Sequence, residues 1–150
     1  MHVALVPCST DDKDFAFRVT EEAMRAYVEE AFGVWDVNAQ RRRLEKSFDP
    51  STYSLIVVDR VRAGILAVED RPFEIFISRI FLLPGFQRQR IGSTLMGQLI
   101  ERAHAERKPL RLHVLVVNPA RSLYERLGFS VTNSSPTHHY MEYCPTRLPG

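Results

Sequence analysis

The sequence predicts an α/β fold, a mixed sheet with helices on its faces. Two observations carry this. The apolar period switches repeatedly between helical and extended spacing along the chain. In the second half, strand–helix–strand segments follow one another, which implies that part of the sheet is parallel.

The elements read in order. Val3 to Val6 is a short apolar run with strand character. Ser9-Thr10-Asp11-Asp12 offers N-cap chemistry, and Phe15, Val19, Ala23, Met24 and Tyr27 follow at helical spacing until Gly33. A second helix spans about Val37 to Phe48, with Pro50 just beyond it. Tyr53 to Asp59 and Ala63 to Glu69 form a hairpin joined by Arg60-Val61-Arg62, whose turn type is open because glycine and asparagine are missing. Glu74 to Leu83 reads as a longer third strand of this sheet, apolar enough to be covered on both faces. Ile91, Leu95, Leu99 and Ala103 then mark the clearest amphipathic helix, to about Arg107. Leu110 to Val117 is the next strand, and Ala120 to Leu127 a short helix stopped by Gly128. Phe129 to Thr132 and His139 to Tyr143 close the sheet.

Composition narrows the function classes. A chain of 150 residues with 45% hydrophobic and 25% charged residues has the size and make-up of one globular domain, 1–150. A net charge of only +2 argues against a general nucleic-acid surface. Cys8 and Cys144 form no CxxC pair, so they read as free thiols of a reducing, cytoplasmic compartment and not as a zinc site. The opening residues do not read as a signal peptide, and no apolar stretch is long enough to span a membrane.

The most informative segment is LLPGFQRQRIGSTLM, Leu82 to Met96. A strand ends and a loop rich in Gln and Arg turns directly into a helix. The first helical amides have no intrahelical partner and carry the positive end of the dipole, which makes such a turn an anion site. Gly92 allows close approach to the backbone, and Arg88 and Arg90 add charge suited to phosphates. Neither a Walker loop nor a GxGxxG fingerprint is present. On these residues alone, a plain loop with solvated arginines remains equally open.

FQRQRIGSTL resembles the acyl-CoA-binding motif of the GNAT superfamily of N-acetyltransferases, Gln/Arg-x-x-Gly-x-Gly/Ala. Gln87 and Gly92 match its ends, and Arg90 stands where the first glycine is usual. VNPARSLYERLGF, Val117 to Phe129, resembles the later family motif through Leu123, Tyr124, Gly128 and Phe129. The spacing from Asn118 to Tyr124 is one residue shorter than usual. One helix and one strand separate the two motifs, as in the family.

The resemblance implies a mostly antiparallel sheet in which the fourth and fifth strands are parallel and splayed. It implies acetyl-CoA as cosubstrate. Its pantetheine arm would pair with free backbone groups of Phe81, Leu82 and Leu83, and its pyrophosphate would rest on Gln87, Arg88, Gln89, Arg90, Ile91, Gly92 and Ser93, with Asn118 nearby. The reaction implied is direct acetyl transfer to a primary amine of a small molecule or peptide. Tyr124 stands where a tyrosine often protonates the departing thiolate; a core tyrosine is the alternative. Many relatives carry an acid on the fourth strand where this chain has Phe81. The base therefore stays open among Glu69, Glu74, Glu29, Glu30, Asp36, His113 and His138, or a water chain.

The acceptor is expected near the first two helices and the closing strands. Tyr27, Glu29 and Trp35 lie in MRAYVEEAFGVWD, where aromatics beside acids suit a cationic amine. The resemblance adds His138 from PTHHYMEY, with a structural histidine as the alternative there. The neighbouring His139 points to the opposite face of a strand, so the two form no metal pair. Open edges and C-terminal strands allow a homodimer in this fold. Arg90, the shortened loop and the missing strand acid motivate a second possibility, a coenzyme A-binding module without catalysis.

Overall fold

The computed structural model describes residues 1–145. Strand β1 (Val3–Pro7) leads into a single 3-10 turn, Thr10–Asp12. Ser9 caps that turn: its hydroxyl accepts from the Asp11 amide, and the Asp12 carboxylate accepts from the Ser9 amide. Helix α1 (Lys13–Phe32) stops at Gly33, whose φ of 88° is open to glycine without strain. Helix α2 (Val37–Ser47) starts where the Asp36 carboxylate accepts from the Ala39 amide at 3.0 Å.

Strands β2 (Tyr53–Val58), β3 (Val61–Asp70) and β4 (Ile75–Leu82) form an antiparallel meander. The first hairpin differs from expectation. Its turn is Asp59-Arg60, at φ 48° and 68°, while Val61 and Arg62 already pair in β3. Two left-handed residues are what a tight primed turn requires, and here an aspartate and an arginine adopt them without any glycine. Strand β3, at 10 residues, is also longer than β4, at 8.

Helix α3 (Ile91–Glu106) crosses to β5 (Leu110–Leu115), helix α4 (Ala120–Arg126) follows, and β6 (Ser130–Ser134) and β7 (His138–Tyr143) close the chain. The seven strands lie in the order β1-β2-β3-β4-β5-β7-β6. Among the described residues only the β4–β5 pair is parallel, as the resemblance implied.

That pair is short. Ile75, Phe76 and Ile77 face Leu110, Arg111 and Leu112, and pairing then ends. The cause lies on the other edge of β4. The β3–β4 register shifts between Ala67 and Val68, leaving Ser78 unpaired, and its hydroxyl donates to the Ala67 carbonyl at 3.2 Å. A bulge of this kind bends its strand, and the bend carries β4 away from β5. Full coverage of β4 therefore holds only to Ile77. Ser78 is exposed, and Arg79 to Leu82 are half-buried beside the gap.

Two apolar layers sandwich the sheet. On one side Ile91, Leu95, Met96, Leu99 and Ala103 of α3 pack on Ile75, Ile77, Leu110, Leu112 and Val114, with Tyr124 from α4. The four positions singled out by helical spacing are all buried. On the other side Ala16, Phe17, Val19 and Leu44 of α1 and α2 pack with Trp35 on Tyr53, Leu55, Ile65 and Ala67. Removing each of the Val, Leu, Ile, Phe and Met side chains among them from water contributes about 1.5–3 kcal/mol.

Candidate active site

The turn after β4 is built for close approach. Pro84–Phe86 makes one 3-10 turn, and α3 begins five residues later at Ile91. Two glutamines brace the loop: Gln87 Nε2 donates to the Leu82 carbonyl at 3.0 Å and Gln89 Nε2 to the Gly85 carbonyl at 2.9 Å. Helical bonding starts with the Thr94 amide, which donates to the Arg90 carbonyl at 3.0 Å. The amides of Ile91, Gly92 and Ser93 thus have no intrahelical acceptor. A Cβ on Gly92 would meet nothing within 4 Å, so the protein's own packing does not require glycine there. Open space over unpaired amides, flanked by exposed Arg88 and Arg90, fits a pyrophosphate.

Arg90 occupies the usual glycine position of the motif with φ 64°. The left-handed conformation explains why glycine is common there, and holding arginine in it costs about 1–2 kcal/mol. Arg90 is exposed, like its neighbours Arg88 and Gln89.

The gap between β4 and β5 exposes backbone as well. The Leu83 amide donates to the Ala63 carbonyl at 2.8 Å, on the β3 side. A Cβ on Gly64 of β3 would lie 2.1 Å from the Phe81 carbonyl, which puts the Phe81 backbone on that side too. Strand alternation then turns the backbone groups of Ile80 and Leu82 toward the gap. Of the three residues expected to offer free groups, Leu82 turns its amide to the gap while its carbonyl accepts from Gln87, and Phe81 and Leu83 are engaged with β3.

A cavity of about 850 Å³ opens from α1 and α2, crosses this gap and reaches α4. Its walls include Thr20, Met24 and Val28 of α1, residues 76–81 of β4, residues 112–115 of β5, Asn118, Tyr124 and His138. The Asn118 side-chain oxygen accepts from the Ala120 amide at 2.9 Å and so fixes the start of α4. Tyr124 is 8% exposed, with its ring 5.9 Å from that of Phe129. Burial pushes its phenol up to about 12.

The acceptor residues expected from sequence divide. Trp35 and His138 line the cavity; Tyr27 and Glu29 do not. Trp35 is buried and its indole donates to Glu21 at 2.9 Å, while Glu29 pairs with Arg25 at 3.2 Å along the outer face of α1. Among the possible bases, Glu74 lies outside the cavity and is clamped by Arg111 at 2.7 Å and Arg71 at 2.8 Å. Those guanidiniums, Arg111 foremost, hold its carboxyl below the usual range. Glu69 lines the cavity but pairs with Arg71 at 3.2 Å, Asp36 caps α2, and Glu30 lies elsewhere.

The two histidines differ from these acids. His113 on β5 stands edge-on to Phe76 and Tyr140, at 5.0 and 4.5 Å between ring centroids. His138, opposite Leu115 on β7, has Nδ1 2.9 Å from the Thr137 hydroxyl. Partial burial lowers the pKa of both below the ordinary value, aided by His138 for His113 and by Arg43 for His138. Both are therefore neutral near pH 7 and able to accept a proton. His139 faces away, bonded to Arg121 and Ser134, and among the described residues no group of three or more metal-binding side chains occurs.

Sequence reasoning missed several polar groups of the wall, among them Thr20, Arg43 and Arg79. Arg79 had a visible signal, since it interrupts the apolar run of β4. Thr20 and Arg43 sit in ordinary helical positions and had none.

Comparison with known proteins agrees with this geometry. The family model of the acetyltransferase (GNAT) domain matches residues 21–148. The fold resembles that of the PaiA N-acetyltransferase of Thermoplasma acidophilum in complex with coenzyme A, at TM-score 0.75 and 16% identity, over 96% of this chain and 99% of that one. It also resembles the ribosomal-protein-S18-alanine N-acetyltransferase of Escherichia coli, at TM-score 0.73 and 19% identity, over 99% and 97%. PH1933 of Pyrococcus horikoshii OT3 is similar at TM-score 0.76 and 15% identity, over 98% and 100%. No curated protein matches the sequence.

Proposed function

Because the chain belongs to the GNAT acetyltransferase family, whose cosubstrate is acetyl-CoA, we propose that it acetylates a primary amine of a small molecule or peptide by direct transfer. The observation that carries this reading is the single cavity that joins the α1–α2 side of the sheet to Tyr124 through the β4–β5 gap. An amine entering from one side and a thioester lying in the gap would meet there. Holding the two together supplies most of the rate gain.

Each group has a role in this reading. The amides of Ile91, Gly92 and Ser93, with Gln87, Arg88, Gln89 and Arg90 around them, receive the pyrophosphate. The Ile80 backbone and the Leu82 amide of β4, beside Phe81 and Leu83, hold the pantetheine arm, with Asn118 across the gap. A β4 amide polarises the thioester carbonyl. His138, helped by His113, takes the proton of the amine as a neutral imidazole. Tyr124 stays protonated at neutral pH and donates to the departing sulfur. Its burial makes it a weaker acid, but the same water-poor setting also disfavours a free thiolate, which narrows the difference.

Trp35 forms the floor of the acceptor side. Tyr27 and Glu29 lie farther out on α1, where a peptide acceptor would extend. The whole chain, 1–150, acts as one catalytic domain in this proposal. A cytoplasmic setting suits the two free cysteines, and among the described residues no helix is long and apolar enough to cross a membrane. The test is coenzyme A release from acetyl-CoA across an amine panel. Amine-dependent release that is lost in Tyr124→Phe supports the reading. Tight acetyl-CoA binding with no amine-dependent release points to a binding module instead.

A further inference from the structure

The charges of the cavity are unbalanced in a way that bears on the acceptor. Among the described residues, Arg41, Arg71, Arg102 and Arg121 are half-buried, and each pairs with a carboxylate. Arg79 is also half-buried, yet no carboxylate of the described residues lies within salt-bridge distance of it. Its contacts are the Thr20 hydroxyl at 3.3 Å and the Phe81 ring at 6.0 Å. Taking a cation out of water without an anion is unfavourable. Arg79 lines the cavity on the α1 side, one residue from the backbone that borders the gap. Arg43, also in the wall, has no carboxylate partner among the described residues either, and its charge is felt by His138.

The acids of the wall do not offset these cations. Glu69 is paired with Arg71, and Asp36 caps α2. Asp49 is exposed and accepts from the Ser51 amide at 2.9 Å. We propose that the acceptor is an amine that also carries a carboxylate, which Arg79 binds while the amino group faces the thioester. A guanidinium offers two parallel donors matched to a carboxylate. This rests on the acceptor reading of the same cavity, and it replaces the purely cationic amine suggested by the aromatics and acids of α1.

The test compares amines with and without the carboxylate. Glycine, β-alanine, 4-aminobutyrate, leucine and phenylalanine are each paired with the amine left after decarboxylation. Rates are compared at equal concentration of the free amine form, because the carboxylate changes amine basicity. At least one pair should show kcat/KM higher for the amino acid by roughly 10- to 100-fold, the range of a charge-assisted hydrogen bond. Arg79→Gln should bring that ratio toward one, while Arg79→Lys keeps part of it. Ratios near one in every pair, or a ratio that Arg79→Gln leaves intact, would overturn the proposal. Calorimetric binding of the same compounds in the presence of coenzyme A reads the carboxylate site without any transfer. Carboxylate-selective binding lost in Arg79→Gln, with no acetylation of any amine, would sustain this inference while the transfer reading fails.

Discussion

Replacing Gly92 should move stability and cosubstrate binding in opposite directions. Gly92 is the second residue of α3, and a side chain there would meet no protein atom within 4 Å. Leaving glycine gains up to about 1 kcal/mol of helix propensity, less the shortfall of the new residue. A glutamate in the first turn gains about 0.3–1 kcal/mol more from the dipole. Gly92→Glu should therefore fold at least as well as the parent, by about 0.5–1.5 kcal/mol in denaturant titration. The same carboxylate would stand over the free amides of Ile91 to Ser93, the proposed seat of the pyrophosphate. Repulsion and lost hydrogen bonds should weaken acetyl-CoA binding by about 100-fold or more, some 2.7 kcal/mol. Gly92→Ala separates size from charge: it should gain similar stability and lose less affinity. Calorimetry of acetyl-CoA binding reads one effect and urea unfolding the other. Unchanged affinity in a folded Gly92→Glu protein would refute the placement of the phosphates on this turn.

Other outcomes follow from the same geometry. Tyr124→Phe should lower kcat by about 100- to 10,000-fold with little change in KM, since the hydroxyl acts on the leaving sulfur; steady-state kinetics checks this. The kcat/KM profile should hold level down to about pH 6.5 and fall below it, because the cavity imidazoles have lowered pKa values. His138→Gln should lower the plateau and flatten that limb. The same shifts bear on stability. The unfolded chain binds these protons more readily, so their contribution is fully present above the ordinary histidine value and is lost as pH falls through the lowered folded values. Urea midpoints between pH 7 and pH 5 should show less of that loss in the His113→Gln, His138→Gln pair. Leu95→Ala, at a position 1% exposed under the sheet, should cost about 2–5 kcal/mol without altering the site's chemistry.

The sequence carried the architecture well where spacing was regular. Ile91, Leu95, Leu99 and Ala103 marked α3 because one apolar stripe faces the sheet, and all four are buried. Gly33 and Gly128 marked helix ends because their φ values, 88° and 104°, suit glycine. The Asp59-Arg60 turn was not legible, since neither residue advertises a left-handed conformation. The divergence of β4 from β5 was legible only through family resemblance. Its local cause, the unpaired Ser78, looks like any polar residue in a strand. Glu29 and Tyr27 were chosen on their chemistry, which does not report helical phase: the α1 residues that line the cavity are Thr20, Met24, Val28 and Phe32. Arg79 shows the converse, a residue made informative only once its missing partner could be seen.

The most direct test of the central claim is amine-dependent release of coenzyme A from acetyl-CoA by the purified full chain, with Tyr124→Phe alongside. The account predicts release that rises with amine concentration, matched by acetylated amine in the mass spectrum, and largely lost in Tyr124→Phe. Binding of acetyl-CoA with no amine-dependent release across the panel would contradict it and leave a coenzyme A-binding module in its place.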